Sequence, residues 1–218
     1  MDTLQTSYYF SSAVHYIDKP EYLQAVRNVF NAHIEPQKKQ VNDVYPVIMT
    51  GNLVQEPTLQ DFCSFTVGTA WNILSAQGYA MDYKETYFHS MWGQSHYKYS
   101  NMEEHIHNDG TQIVGFYFLD VPERGSRVVF HDPRTGKKQA GMPEADSSKP
   151  TEATDSLVFE PKAGSFYFTN SWLPHSFTRN GSNDPVNFIH FTLMFVMYRS
   201  QFAIRKARSS YEKVSDSF

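Results

Sequence analysis

Two helical patterns open the chain, and a long run of strand-like segments follows them. In "DKPEYLQAVRNVFNAHIEP" (18–36) the apolar positions Leu23, Val26 and Phe30 recur at helical spacing. Asp18 is placed to cap this helix, Pro20 suits its first turn, and Pro36 ends it. "PTLQDFCSFTVGTAWNILSAQGY" (57–79) predicts a second helix. Thr58 and Asp61 stand as a capping pair, and Gly78 as the stop. Phe62, Thr66, Ala70 and Ile73 share one face, the face expected to pack on a sheet.

From residue 83 the period changes from helical to alternating. "YKETYFHSMW", "SHYKYS", "TQIVGFYFLDV", "SRVVFHD", "SLVFEP", "GSFYFTN", "HSFTR" and "VNFIHFTLMFVMYR" are short aromatic and β-branched runs separated by Gly, Pro, Asn and Asp turns. Roughly eight strands at this spacing predict a sandwich or barrel rather than alternating βα units. "PRTGKKQ" reads as a hairpin tip. Residues 137–156 carry almost no large apolar side chain and read as a long solvated loop, a candidate lid. The expected organisation is a single domain over 1–218. Its helical support spans 1–82 and covers one outer face of a double sheet, a mainly β core spans 83–199, and a charged tail spans 200–218.

Composition narrows the chemistry. The 218 residues suit one core of ordinary size. Seventeen Phe, fourteen Tyr and three Trp favour sheet. A net charge of -4 argues against a dedicated nucleic-acid binder. The single cysteine, Cys63, excludes an internal disulfide framework and a cysteine zinc cluster. No apolar run reaches the roughly 18 residues of a membrane span, and the N-terminus has no basic region of a secretory signal. A cytoplasmic protein without membrane attachment is the expectation. Any metal must be held by His, Asp and Glu.

The stretch "HIHNDGTQIVGFYFLD" (105–120) places His105, His107 and Asp109 at alternate positions, on one face if extended. Such a pair at i and i+2 can reach one metal, but a third ligand must come from a distant strand. His175 in "NSWLPHSFTRN" follows a turn and opens a strand. Two histidines and a carboxylate on one octahedral face, with open positions opposite, is the pattern of nonhaem Fe(II) oxygenases.

Four stretches resemble the 2-oxoglutarate and Fe(II)-dependent oxygenases, within them a bacterial and phage group that includes prolyl-hydroxylase-like proteins. They are "HIHNDGTQIVGFYFLD", "GSRVVFHDPR" (125–134), "PKAGSFYFTNSWLPH" (161–175) and "NFIHFTLMF" (187–195). The likeness runs over roughly residues 85–200. It implies a double-stranded β-helix, a cupin-like jelly roll, with Fe(II), 2-oxoglutarate as cosubstrate and O2. Hydroxylation with decarboxylation of 2-oxoglutarate to succinate is the reaction it implies, on a small-molecule or peptide substrate. The metal triad carries onto His107, Asp109 and His175, with His105 orienting a ligand. Such proteins usually hold the far carboxylate of 2-oxoglutarate with Arg or Lys at the start of the last strand. Asn187 stands there instead. The expected replacements are Arg134, the pair His190 and Thr192 on one face of that strand, and a phenol such as Tyr117, with Arg127, Tyr97 and Tyr99 also weighed. Two other readings stand beside this one. A cupin-like enzyme would use His105, His107 and His175 without 2-oxoglutarate, and a jelly-roll binding module would have no catalysis. A homodimer is left open.

Overall fold

The computed structural model describes residues 3–197; the tail expected at 200–218 lies outside them. Helix α1 spans Leu23–Ile34 and helix α2 spans Gln60–Ala76, each entered through a 3-10 turn that begins at a proline, Pro20–Tyr22 and Pro57–Leu59. A proline costs nothing there, because its missing N–H would have no helical partner. Val26 and Phe30 of the first stripe are buried, as are Phe62, Thr66, Ala70 and Ile73 of the second. Neither helix has a side-chain cap. Asp18 instead ends a strand, β1 (Val14–Asp18), and Lys19 N–H donates to Gly164 O at 2.7 Å, so the chain enters α1 from a sheet edge. Gly78 does stop α2, at φ +89°, a conformation that favours glycine.

Among the described residues, ten strands form two antiparallel sheets. Strands β2 (Val47–Met49), β3 (Lys84–His96), β5 (Ile113–Asp120), β8 (Ser165–Asn170) and β10 (Val186–Met197) join β1 in a six-stranded sheet of order β1-β8-β5-β10-β3-β2. Strands β4 (Met102–His105), β6 (Val128–His131), β7 (Ser156–Phe159) and β9 (His175–Phe177) form a four-stranded sheet of order β4-β9-β6-β7. This is the expected jelly roll with helices on one outer face. The first 82 residues contribute β1 and β2 as well as helices, because short runs such as "VHYID" complete the edges of the larger sheet.

Alternation along the central strands builds two cores from one sheet. Ile113, Tyr117 and Leu119 of β5, with Ile189, Phe191 and Leu193 of β10, face the helices. Phe62 meets Tyr117 and Phe166 there, with ring centroids 5.1 Å apart in each case. Phe116, Phe118 and Phe188 face the smaller sheet and pack with Phe130, Leu173 and Phe177. His190 and Thr192 continue that inner row toward the open end.

The segment "PRTGKKQ" is not a hairpin tip but a short helix, α3 (Thr135–Ala140), ended by Gly141 at φ +62°. The Asp132 carboxylate accepts from Arg134 N–H at 2.9 Å, which turns the chain, and Lys137 N–H donates to Arg134 O at 3.0 Å. Lys137 Nζ then ties the far side of the β6–β7 connection, donating to Ala153 O at 2.9 Å and Thr154 O at 3.0 Å. It also pairs with Asp132 and Asp155. Among the described residues no helix is long and apolar enough to cross a membrane.

Candidate metal centre

The smaller sheet brings two histidines together by register. His105 ends β4 directly opposite His175, the first residue of β9, and their ring centroids lie 4.5 Å apart. His107 follows in the loop, where its N–H donates to Ser171 O at 2.9 Å. Its ring stacks on His175 at 5.2 Å and 11°. Each of the three offers a ring nitrogen within 4.8 Å of the others.

Hydrogen bonds prepare the free nitrogens as ligands. A carbonyl can only accept, so Nδ1 of His175 donates to Leu173 O at 3.0 Å, and Nδ1 of His105 donates to Glu103 O at 2.8 Å. That choice of tautomer leaves the Nε2 lone pairs unprotonated. Nε2 of His107 and of His175 are buried without any partner. Burial pushes His107 down to about 4, with a smaller contribution from His105, and pushes His175 down to about 3. Both rings are therefore neutral at pH 7. Buried polar atoms without partners are uncommon and call for a water or an ion. Convergent neutral imidazoles with free lone pairs are donors of the kind that iron, zinc and copper take, so the residues present fit a divalent metal.

Asp109, expected as the carboxylate ligand, is not in this cluster. It is exposed, at φ +58° in the turn before β5, with Gly110 beside it at φ +77°. Extension ends at His105, so the i, i+2 rule that put Asp109 on the same face does not apply past that point. His105, expected to orient a ligand in the oxygenase reading and to be one in the cupin-like reading, takes the third corner of the cluster. Arg134 does not reach inward: it is exposed and forks onto Asp132, with Nε 2.9 Å and Nη2 2.7 Å from the carboxylate. Those contacts hold the Asp132 carboxyl well below the usual carboxylate range. Tyr117 faces the helices, and its hydroxyl donates to Lys19 O at 2.8 Å. Arg127 pairs with Glu160 at the surface, Tyr97 packs on the helix side and Tyr99 is exposed.

His190 and Thr192 do lie on the inner face. The His190 ring is 4.9 Å from His107 and 4.4 Å from Trp92. Thr192 and Ser90 share a hydroxyl hydrogen bond of 2.8 Å. Sequence reasoning does not single out Ser90 and Trp92, although the alternation Ser90, Trp92, Gln94, His96 along β3 puts them on one face. A cavity of about 380 Å³ lies between residues 7–12, the Phe130–Arg134 stretch and residues 152–157, and none of the three histidines lines it. Its wall residue Leu173 is the one whose carbonyl holds His175.

Comparison with known proteins bears on this arrangement. Residues 90–191 match the family model described as "Putative 2OG-Fe(II) oxygenase". The match contains all three clustered histidines, Trp92 and His190, and it bears out the resemblance carried by the four sequence stretches. A Pseudomonas putida prolyl-4-hydroxylase superposes with a TM-score of 0.57 at 9% identity, covering 84% of this chain and 94% of the other. The non-heme alpha ketoglutarate dependent epimerase SnoN from nogalamycin biosynthesis gives 0.57 at 12% identity, covering 84% and 76%. SnoN in complex with Fe3+, alpha ketoglutarate and nogalamycin RO gives 0.56 at 12% identity, covering 88% and 84%. At these identities the superpositions show the oxygenase jelly-roll fold. No curated protein matches the chain.

Proposed function

We propose that this protein is an Fe(II)- and 2-oxoglutarate-dependent oxygenase, acting as a hydroxylase, whose metal is held by His105, His107 and His175. The observation that carries the reading is the convergence of three ring nitrogens, two of them buried without partners, at the mouth of an oxygenase-type jelly roll. When bound, iron and 2-oxoglutarate supply the oxidation: a substrate C–H becomes C–OH, one oxygen atom of O2 enters the product, and 2-oxoglutarate leaves as succinate and CO2.

The chain's own residues do the rest. Leu173 O and Glu103 O fix two imidazoles in the ligating tautomer. Phe116, 5.6 Å from the His175 ring, and Phe130 wall the inner side with apolar surface that keeps water out. The 380 Å³ cavity, which shares Phe130 and Leu173 with the surroundings of His175 but is not lined by the three histidines, is of a size for a small molecule or one peptide side chain. Peptidyl proline is the substrate class to try first, given the prolyl-4-hydroxylase among the superposed structures.

A second reading has an observation in its favour. No Lys or Arg is buried among the described residues, which suits a three-histidine metal enzyme that works without 2-oxoglutarate. One experiment separates the two. The protein is loaded anaerobically with Fe(II), and 2-oxoglutarate is added to millimolar concentration. A weak visible charge-transfer band supports the oxygenase reading. Metal bound with no band transfers the case to the second reading, and no metal bound removes both.

A further inference from the structure

The unpartnered buried nitrogens do not stop at the metal centre. Among the described residues, Trp92 Nε1 and His190 Nδ1 are also buried without partners, and they continue the row that starts at His107. Beside them, toward the open end, lies the Ser90–Thr192 hydroxyl pair, one cross-strand row along in the β3–β10 register. A tryptophan N–H can only donate, and two hydroxyls that satisfy each other with one hydrogen still have one to give. Trp92 and the hydroxyl pair therefore present donors on this inner wall, and their missing partner is an acceptor.

Charge decides what kind of acceptor. Three neutral imidazoles leave the full double charge of a divalent metal uncompensated. A dianion chelating that metal would make the centre neutral without any cation from the protein. The family pattern reaches the same neutrality with one more charge of each sign, a carboxylate ligand and an arginine. Here Asp109 stands outside the cluster, Asn187 holds the usual arginine position, and no Lys or Arg is buried among the described residues. The two departures compensate each other.

Resting on the oxygenase reading above, we infer that the far carboxylate of 2-oxoglutarate is anchored without a cation, by Trp92 Nε1–H and the Ser90–Thr192 hydroxyls, with His190 as the wall between anchor and metal. Deeper positions are closed to it: Phe177 and Phe188 stack at 4.9 Å and 7°, and Phe118 packs against Phe188 at 5.6 Å.

The test uses the full chain loaded anaerobically with Fe(II), titrated with 2-oxoglutarate and, separately, with pyruvate, which keeps the chelating end but lacks the far carboxylate. Charge-transfer absorbance reads binding, and elemental analysis reads metal content. Trp92→Phe and Thr192→Val each remove a donor with little change of shape. Each should raise the Kd for 2-oxoglutarate about tenfold or more, the effect of losing a hydrogen bond to a charged group. Pyruvate binding and metal content should stay as in the parent. Unchanged 2-oxoglutarate binding in both variants overturns the anchor, and so does equal weakening of pyruvate. A parent protein that binds iron yet gives no band with 2-oxoglutarate takes down the oxygenase reading itself, a result distinct from either. If one variant fails to fold, the other decides.

Discussion

At the residue scale, the centre depends on which nitrogens are left free. Replacing His105, His107 or His175 with Ala should each raise the Kd for Fe(II) about tenfold or more, seen as lost metal when Fe(II) is supplied near the parent's Kd, since a ligand worth even 1.4 kcal/mol is tenfold in affinity. Asp109→Ala should retain metal, because its exposed carboxylate stands apart from the three rings. Elemental analysis of the anaerobically loaded variants checks both, and loss of metal in Asp109→Ala would restore the carboxylate triad. A second buried histidine sets an acid limit. His96 donates from Nε2 to Gln94 Oε1 at 2.9 Å, and burial lowers it from 6.5 to about 4. The unfolded chain takes up a proton below its ordinary value while the folded chain does not until about 4. The contribution is therefore fully present above pH 6.5, is lost as pH falls through that window, and levels off below it. Each unit is about 1.4 kcal/mol, so His96→Gln should remove about 2 kcal/mol of the stability loss between pH 7 and pH 5. Urea midpoints of the metal-free protein at the two pH values measure it, and an unchanged difference would refute the assignment.

At the element scale, close approach and ion pairing fix the strands and the long connection. A Cβ added at Gly115 of β5 would collide with the Phe191 ring and the Tyr167 carbonyl. Gly115→Ala should destabilise by about 1–3 kcal/mol through overpacking, read as a lower denaturant midpoint with unchanged slope. The β6–β7 connection is held at its base by Asp132, whose side chain is only 6% exposed between Arg134 and Lys137. Asp132→Ala should release both cations and speed amide exchange across 133–155, while iron content stays at the parental level. Exchange that remains slow would show that the connection is held elsewhere.

At the scale of the whole molecule, the three histidines draw on the smaller sheet and on the loop that leads into the larger one. His105 and His175 join β4 to β9, and His107 reaches from the loop that feeds β5 of the other sheet. A metal that binds only this folded arrangement stabilises all of it: at a hundred times Kd the gain is about 2.7 kcal/mol. For a domain of this size that is a rise in Tm of roughly 5–11 °C, reversed by chelator. A metal-independent Tm in the anaerobic protein would argue against a preformed centre.

The jelly roll, its covering helices and the choice of His107 and His175 as residues that could meet were legible in the sequence, because they depend on period, on breakers and on motifs that are local. Alternation along the last strand is also enough to put His190 and Thr192 on one face. What local pattern could not decide was the end of extension at His105. One turn at Asp109 and Gly110 moves the expected carboxylate into solvent and leaves His105 as the third corner. Arg134 and Tyr117 were equally undecidable, since strand parity and a single competing partner, Asp132 or Lys19 O, settle where they point. The sequence by itself determined which chemistry was available: histidines, no cysteine cluster, and no cation at the start of the last strand. Only the tertiary structure decided which of those groups meet, because cross-strand register brings together residues about seventy positions apart that no local period relates.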